Sequence, residues 1–468
     1  MRQAAARAVV LVVLWAAPVT AQCVPPPEVH FTALPNFVVD IGEGVYDGPG
    51  LQSFALADVN ADGRLDLLTI EADEDRVAVR LGRLDASGTF EDAVPVDTDV
   101  SDPTVVAVAD VASPFASEDV GAPDGKPDLI VGGLFDLDIH LGRGDGQFDP
   151  PEQEIDDTFD LAWVVGVVAH DLDGQAGIDL AVLDEDGFVT PMCNNAGNLQ
   201  PCDVLPIELE DYSEPVDIVA GDFDGDGHSD LAVLDRDESV VTPLYGHGDG
   251  TFDAASAIPV RGEGDESRDL AVGRIDADAL DDLVVVNHGE FGEFLGVLLR
   301  GRGTGGFRQE LFVAQLGATS LALADFNGEP DGALDVIAGS STFSPSLNLN
   351  DGFGTLQDPI GPVATSPIGA IAAGDLGGDG RADFIILDSL GVTMQVVLND
   401  LVPRTPECAG DCDCSGAVSV NELVLAVGIA LSAPAQISCR EADLDASGKL
   451  TINELIAAVR SALDGCPA

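Results

Sequence analysis

The stretch "GDFDGDGHSDLAVLD", Gly221 to Asp235, sets Asp222, Asp224, Asp226 and Asp230 within nine positions and then turns apolar. Four carboxylates this close repel one another, so something must offset their charge, and the apolar run behind them has the length of a buried strand. Six further segments share the pattern, with first loop positions at Asp58, Asp110, Asp171, Arg274, Asp325 and Asp375. With Asp222 they recur every 50 to 52 residues, apart from one interval of 61 that contains an insertion between Val111 and Gly125. A fixed period of this length marks a repeat architecture.

Each copy continues alike. An apolar strand such as "LAVLD" is followed by a second short strand, a Gly-rich turn and a phenylalanine, as in "GRGDGQF" (142–148) and "GHGDGTF" (246–252). With the apolar segment ahead of the acidic loop, this makes about four short strands per copy, the content of a propeller blade. A lone blade leaves both faces bare, whereas a closed ring covers them all. The fold expected is therefore an all-β seven-bladed β-propeller over residues 22–402. Its last copy stops after the third strand at "QVVLND", and "HFTALPNFVVDIG" (30–42) belongs to no copy. Residues near 30–42 are expected to supply the missing outer strand and close the ring.

The acidic loops answer the charge problem if each holds a hard cation. Oxygens at loop positions one, three, five and nine, with a carbonyl at seven and glycines for the tight turn, suit Ca2+. Asp and Asn also favour turns by bonding their own backbone, which explains one or two acids per turn but not the same alternate spacing in several copies. On these residues the chain resembles the integrin-type FG-GAP and VCBS repeat family, whose blades carry D-x-[DN]-x-D-G-x-x-D calcium loops. The resemblance spans roughly residues 30–402. It implies metal ligands at Asp58, Asn60, Asp62 and Asp66, and at Asp222, Asp224, Asp226 and Asp230, where the match is complete. Asp171, Asp173 and Asp179 match with Gln175 in the fifth place, and Asp325, Asn327, Asp331 and Asp335 match across an insertion. Asp375, Asp379 and Asp383 match with Gly377 in the third place, while Asp110, Asp124 and Asp128 are split by the long insertion. In the fifth copy Arg274 takes the first position opposite Asp276, Asp278 and Asp282. A guanidinium there is expected to stand in for the ion.

After a linker at 403–407, residues 408–468 contain two twelve-residue loops, "DCDCSGAVSVNE" (411–422) and "DLDASGKLTINE" (443–454). Asp411, Asp413, Ser415 and Glu422, and Asp443, Asp445, Ser447 and Glu454, have full EF-hand spacing. Each loop runs into one amphipathic helix, which predicts a small α-helical module. The duplicated loop-plus-helix resembles a dockerin, which implies a cohesin-like partner. Glu422 and Glu454 stand where dockerins usually have Asp, and Val420–Asn421 and Ile452–Asn453 replace the polar recognition pair. A calcium-stapled end cap is the alternative.

Residues 1–21 carry Arg2 and Arg7, an apolar run and small residues before Gln22, the layout of a secretory signal. The protein is expected outside the cell or at its surface, where its eight cysteines can form disulfides; Cys193 and Cys202 flank a turn and are a candidate hairpin staple. With 83 acidic against 20 basic residues the net charge is −63, which repels nucleic acid and anionic membranes. No H-E-x-x-H, G-x-S-x-G or phosphate-loop pattern occurs, and the six histidines share no spacing. Hence no enzymatic activity is expected. The face opposite the calcium loops is expected to bind ligand, with Phe188, Phe291, Phe294 and Phe343 as stacking surfaces or as packing between blades. The function read from sequence is a binding or adhesion module for protein or glycan ligands. The alternatives are a lectin, or a component of extracellular polysaccharide degradation.

Overall fold

The computed structural model describes residues 31–39 and 54–399, apart from 86, 112–123, 152, 156–160, 176, 195–198, 203–204, 210–213, 261–265, 277, 289–294, 304, 328–332, 353, 362–363, 365–367 and 389–392, and adds Leu423 and Val459. The expected signal segment, the paired twelve-residue loops, Asp331, Phe291 and Phe294 lie outside the described residues. Among the described residues no helix is long and apolar enough to cross a membrane.

Blade four shows why these residues form these strands. Strand Asp230–Asp235 is buried along its whole length. Because successive side chains alternate between the two faces of a sheet, Leu231 and Val233 pack toward blade three while Ala232 and Leu234 pack toward blade five. A strand covered on both faces reads as a continuous apolar run rather than an alternating one. It pairs antiparallel with Pro215–Gly221 on one side and Val240–Gly246 on the other, and Phe252–Ala254 completes the blade.

The same antiparallel pattern recurs in seven separate sheets. Their inner strands are Phe54–Ala57, Val105–Ala109, Val164–His170, Pro215–Gly221, Glu266–Gly273, Ala318–Ala324 and Ile368–Gly374. Seven apolar clusters fill the gaps between consecutive blades, and the seventh joins Phe54 and Leu67 of blade one to Ile385 and Val396 of blade seven. That last cluster makes the array a closed seven-bladed β-propeller. In blade seven, Phe31–Ala33 lies antiparallel on Thr393–Asn399, with Phe31 opposite Asn399, and Phe37 faces Met394 further along the same strand. Gln395 Nε2 donates to Leu34 O at 2.9 Å and Asn36 Oδ1 at 2.7 Å. The Phe31 ring meets Phe384 and Phe326 edge-on at 5.1 and 6.2 Å. Cys193 and Cys202 form a disulfide across the outer hairpin of blade three.

Candidate metal centres

Each acidic loop joins the inner strand of a blade to its second strand, so the loops share one end of the ring. The last acid of each loop opens the second strand and is buried in every blade: Asp66, Asp128, Asp179, Asp230, Asp282, Asp335 and Asp383. Its two oxygens bracket the turn. In blade four, Asp230 Oδ2 accepts Phe223 N at 2.9 Å within the loop, and Oδ1 accepts Gly246 N at 2.8 Å at the end of the third strand. Asp66 does the same with Val59 and Gly82, and Asp383 with Gly377 and Asn399. Blade five keeps the bracket, Asp282 accepting Ile275 N and Gly301 N, although Arg274 heads its loop. The bracket is therefore a feature of the blade whatever the loop binds.

The residue at the far end of this bracket is Gly or Asn for a steric reason. A Cβ at Gly142 or Gly246 would stand 2.0 Å from the carbonyl oxygen of Pro127 or Ser229. Where Asn takes the position, its amide bonds that carbonyl instead: Asn350 Nδ2 donates to Leu334 O and Asn399 Nδ2 to Ala382 O, both at 3.1 Å. The same amides reach the previous blade, Asn350 at Ile275 O (2.6 Å) and Asn399 at Phe326 O (2.7 Å). The sequence shows the signal of these brackets, an Asp opening every second strand, but not the brackets themselves, because the N–H groups accepted lie on either side of the turn.

The first acid folds back onto its own loop. Asp58 accepts Asp62 N and Gly63 N, Asp222 accepts Gly225 N and Gly227 N, and Asp375 accepts Asp379 N and Gly380 N. The fifth acid caps the exit: Asp62 accepts Arg64 N and Asp226 accepts His228 N. These are the local backbone bonds that aspartate favours in turns. In two adjacent blades the carboxylates also converge. One oxygen each of Asp171, Asp173 and Asp179 lie within 4.8 Å of one another, as do those of Asp222, Asp224 and Asp230. Oxygens on a sphere of about 2.3–2.6 Å radius are at most about 5 Å apart, so both groups fit a calcium ion. Asp226 stays outside its group, and among the described residues no other loop gathers three acids in this way.

Burial pushes the Asp66, Asp230, Asp282 and Asp383 carboxyls up to about 6 and Asp335 up to about 7, against the lowering effect of the bracketing N–H groups. A bound divalent cation would reverse that balance by favouring the charged form.

The cation of blade five differs from the one the sequence suggests. Arg274 is exposed and turns to Asp281, with Nε 3.3 Å from Oδ1, not to Asp276, Asp278 and Asp282. The guanidinium that enters is Arg300, from the third strand: Nη1 bonds Asp276 Oδ2 at 2.5 Å, Nε bonds Glu310 Oε2 at 3.1 Å, and Nη2 bonds Gly354 O of blade six. Burial opposes the charge on Asp276, but bonds from Asp278 and Arg300 hold its carboxyl below the ordinary range. No spacing in the sequence links residue 300 to residue 276, because the contact crosses the sheet.

Residues 222–285, from the blade-four acidic loop into the second strand of blade five, match the FG-GAP-like repeat. The fold is similar to that of the BP39L lectin from Burkholderia pseudomallei, at 15% identity and a TM-score of 0.56, covering 76% of this chain and 99% of that one. It is similar also to BBS1N crystallised in complex with ARL6DN, at 11% identity and a TM-score of 0.53, covering 80% and 99%. At such identities the likeness is one of fold. No curated protein sequence matches the chain.

Proposed function

We propose that this protein is an exported, calcium-binding and non-catalytic propeller that captures a protein or glycan ligand on the face opposite its acidic loops. The observation that carries the reading is the convergence of three carboxylate oxygens in each of blades three and four, in loops that also set the entry to the second strand. Calcium there would neutralise charge on one end of the ring, leaving the loops at the other end free to vary. Those loops differ from blade to blade, as recognition loops on a rigid scaffold do. Phe343, in the blade-six loop, is 43% exposed and offers a stacking face, while Phe188 is half-buried at the start of its strand. The same fold serves a lectin in BP39L and a partner-bound propeller in BBS1N, so either ligand class suits it. The paired loops at 411–422 and 443–454 would bind two further calcium ions and dock a cohesin-like partner.

Calcium titration of the mature chain, with melting followed before and after chelation, tests the metal reading. Each site filled at a hundred times its dissociation constant adds about 2.7 kcal/mol, so the melting temperature should rise clearly with calcium and fall with chelator. An unchanged melting curve with no calcium uptake would overturn it. Glycan arrays and pull-down with extracellular proteins separate the two ligand classes.

A further inference from the structure

The inner strands of blades four to seven line a partly open axial cavity of about 370 Å³. Its polar wall comes from β-bulges, which interrupt the pairing of the inner strand in five blades and re-aim the residue that follows. The residue after the bulge is Asp217 in blade four, Asp269 in blade five and Ser320 in blade six, but Gly166 in blade three and Ala370 in blade seven. Asp269 Oδ2 accepts Leu321 N of the next blade at 2.7 Å, and Ser320 Oγ accepts Ile371 N of the next at 3.0 Å. A neutral hydroxyl thus makes the same tie as a carboxyl, so tying blades together does not explain the two acids. Their cost is plain: burial, and then the neighbouring Asp269, push the Asp217 carboxyl well up, and burial pushes Asp269 up to about 7. Ionisable groups placed in a cavity against the stability of the fold are a mark of a binding site.

The remaining wall narrows the ligand class. Arg268, the bulge residue directly before Asp269, lines the cavity; its Nη2 is held by Glu266, and its buried Nε has no partner. Val219 and Val272 supply apolar wall. Burial leaves the acid pair less than fully charged near neutral pH and Glu266 offsets the Arg268 guanidinium, so the wall favours a neutral ligand over an ion. Adjacent hydroxyls fit, since each donates to a carboxylate while accepting from a guanidinium or a protonated carboxyl. The polar groups sit near the start of the inner strands. Asp217 precedes the calcium loop at Asp222 by five residues, about 17 Å of strand, and so lies toward the opposite face.

We propose that this cavity binds a small neutral molecule with adjacent hydroxyls, a single sugar residue either free or at the end of a chain. The proposal rests on the binding reading above and gives it a place. The test uses the calcium-loaded mature chain, ligand-observed NMR with free glucose, galactose, mannose, fucose and N-acetylglucosamine, and an array of immobilised oligosaccharides. Binding of a free sugar is expected if the ligand is a monosaccharide, and binding on the array alone if it is a chain terminus. The double variant Asp217→Gly/Asp269→Ala, which copies blades three and seven, leaves Leu321 N without its acceptor and should melt somewhat lower than the parent, while binding about tenfold more weakly or worse, the scale of losing hydrogen bonds to charged groups. Arg268→Leu should weaken binding independently and stands in should the double variant fail to fold. The axial site is overturned if no sugar binds in either format, or if folded variants bind like the parent. If they bind a glycan or protein undiminished, the general binding reading survives without it.

Discussion

At Asp230 one carboxyl holds both ends of a turn and joins a cluster of three carboxylates, and the two roles separate by mutation. Asp230→Ala leaves Phe223 N and Gly246 N buried without acceptors. At about 1–3 kcal/mol for each of the two unmet groups, roughly 2–6 kcal/mol of stability should be lost even in chelator. Asp224→Ala removes a half-exposed cluster acid that makes no such bracket. It should change apo stability by less than about 0.5 kcal/mol while weakening calcium binding. Denaturant unfolding with and without chelator measures both; equal losses in the two variants would show that the bracket is not what stabilises the turn. The sequence pattern displayed Asp230 plainly but could not divide its roles, because the N–H groups it accepts come from residues 7 and 16 positions away.

Between elements, blade five places a guanidinium from its third strand on an acid of its first loop. Arg300 ties Asp276 to Glu310 and to Gly354 of the next blade, whereas Arg274 stays at the surface. Arg300→Gln alone should therefore destabilise the protein by about 2–4 kcal/mol, since it leaves the partly buried Asp276 without its cation, whereas Glu310 keeps Arg308. Arg274→Asp/Arg300→Gln rebuilds an acidic loop and should raise the calcium stoichiometry by one, read by titration calorimetry against the parent. If Arg274→Asp alone produced the extra site, Arg300 would not be the resident cation. That a guanidinium would meet the acids of this loop was an expectation drawn from Arg274; that Arg300 is the one that meets Asp276 was not legible, because cross-strand neighbours have no fixed sequence separation.

For the whole molecule, the ring depends on a strand borrowed from its beginning. Removing residues 22–39 would take away the partner of Thr393–Asn399, the Phe31 ring packed against Phe384 and Phe326, and both Gln395 bonds. The exposed strand edge should make the truncated chain aggregate, seen by light scattering, and lower its melting temperature; a monomeric truncation of unchanged stability would refute closure by this strand. Stability should also depend on pH through the axial pair. The folded pKa of Asp269, about 7, lies above its ordinary 3.8, and that of Asp217 is raised as well. Their relative stabilisation is thus full below about pH 4 and lost as pH rises through about 7. Bracket aspartates with raised pKa act in the same direction when no cation is bound. The melting temperature in chelator should therefore fall between pH 5 and 8, and fall less steeply in Asp217→Gly/Asp269→Ala. Equal slopes would place the titration elsewhere.

The sequence by itself determined the number of blades, their strand order and the place of every acidic loop within reach of description. Those features follow from local periodicity and repeat spacing, which each copy carries whole. Tertiary structure alone decided which loops bring three carboxylates together, that the ninth-position acids bracket the turn, that Arg300 rather than Arg274 meets Asp276, and that Asp217 and Asp269 meet at the axis. Each of those depends on the curvature of the sheets and the packing of one blade on the next, which brings together residues whose separation along the chain follows no pattern.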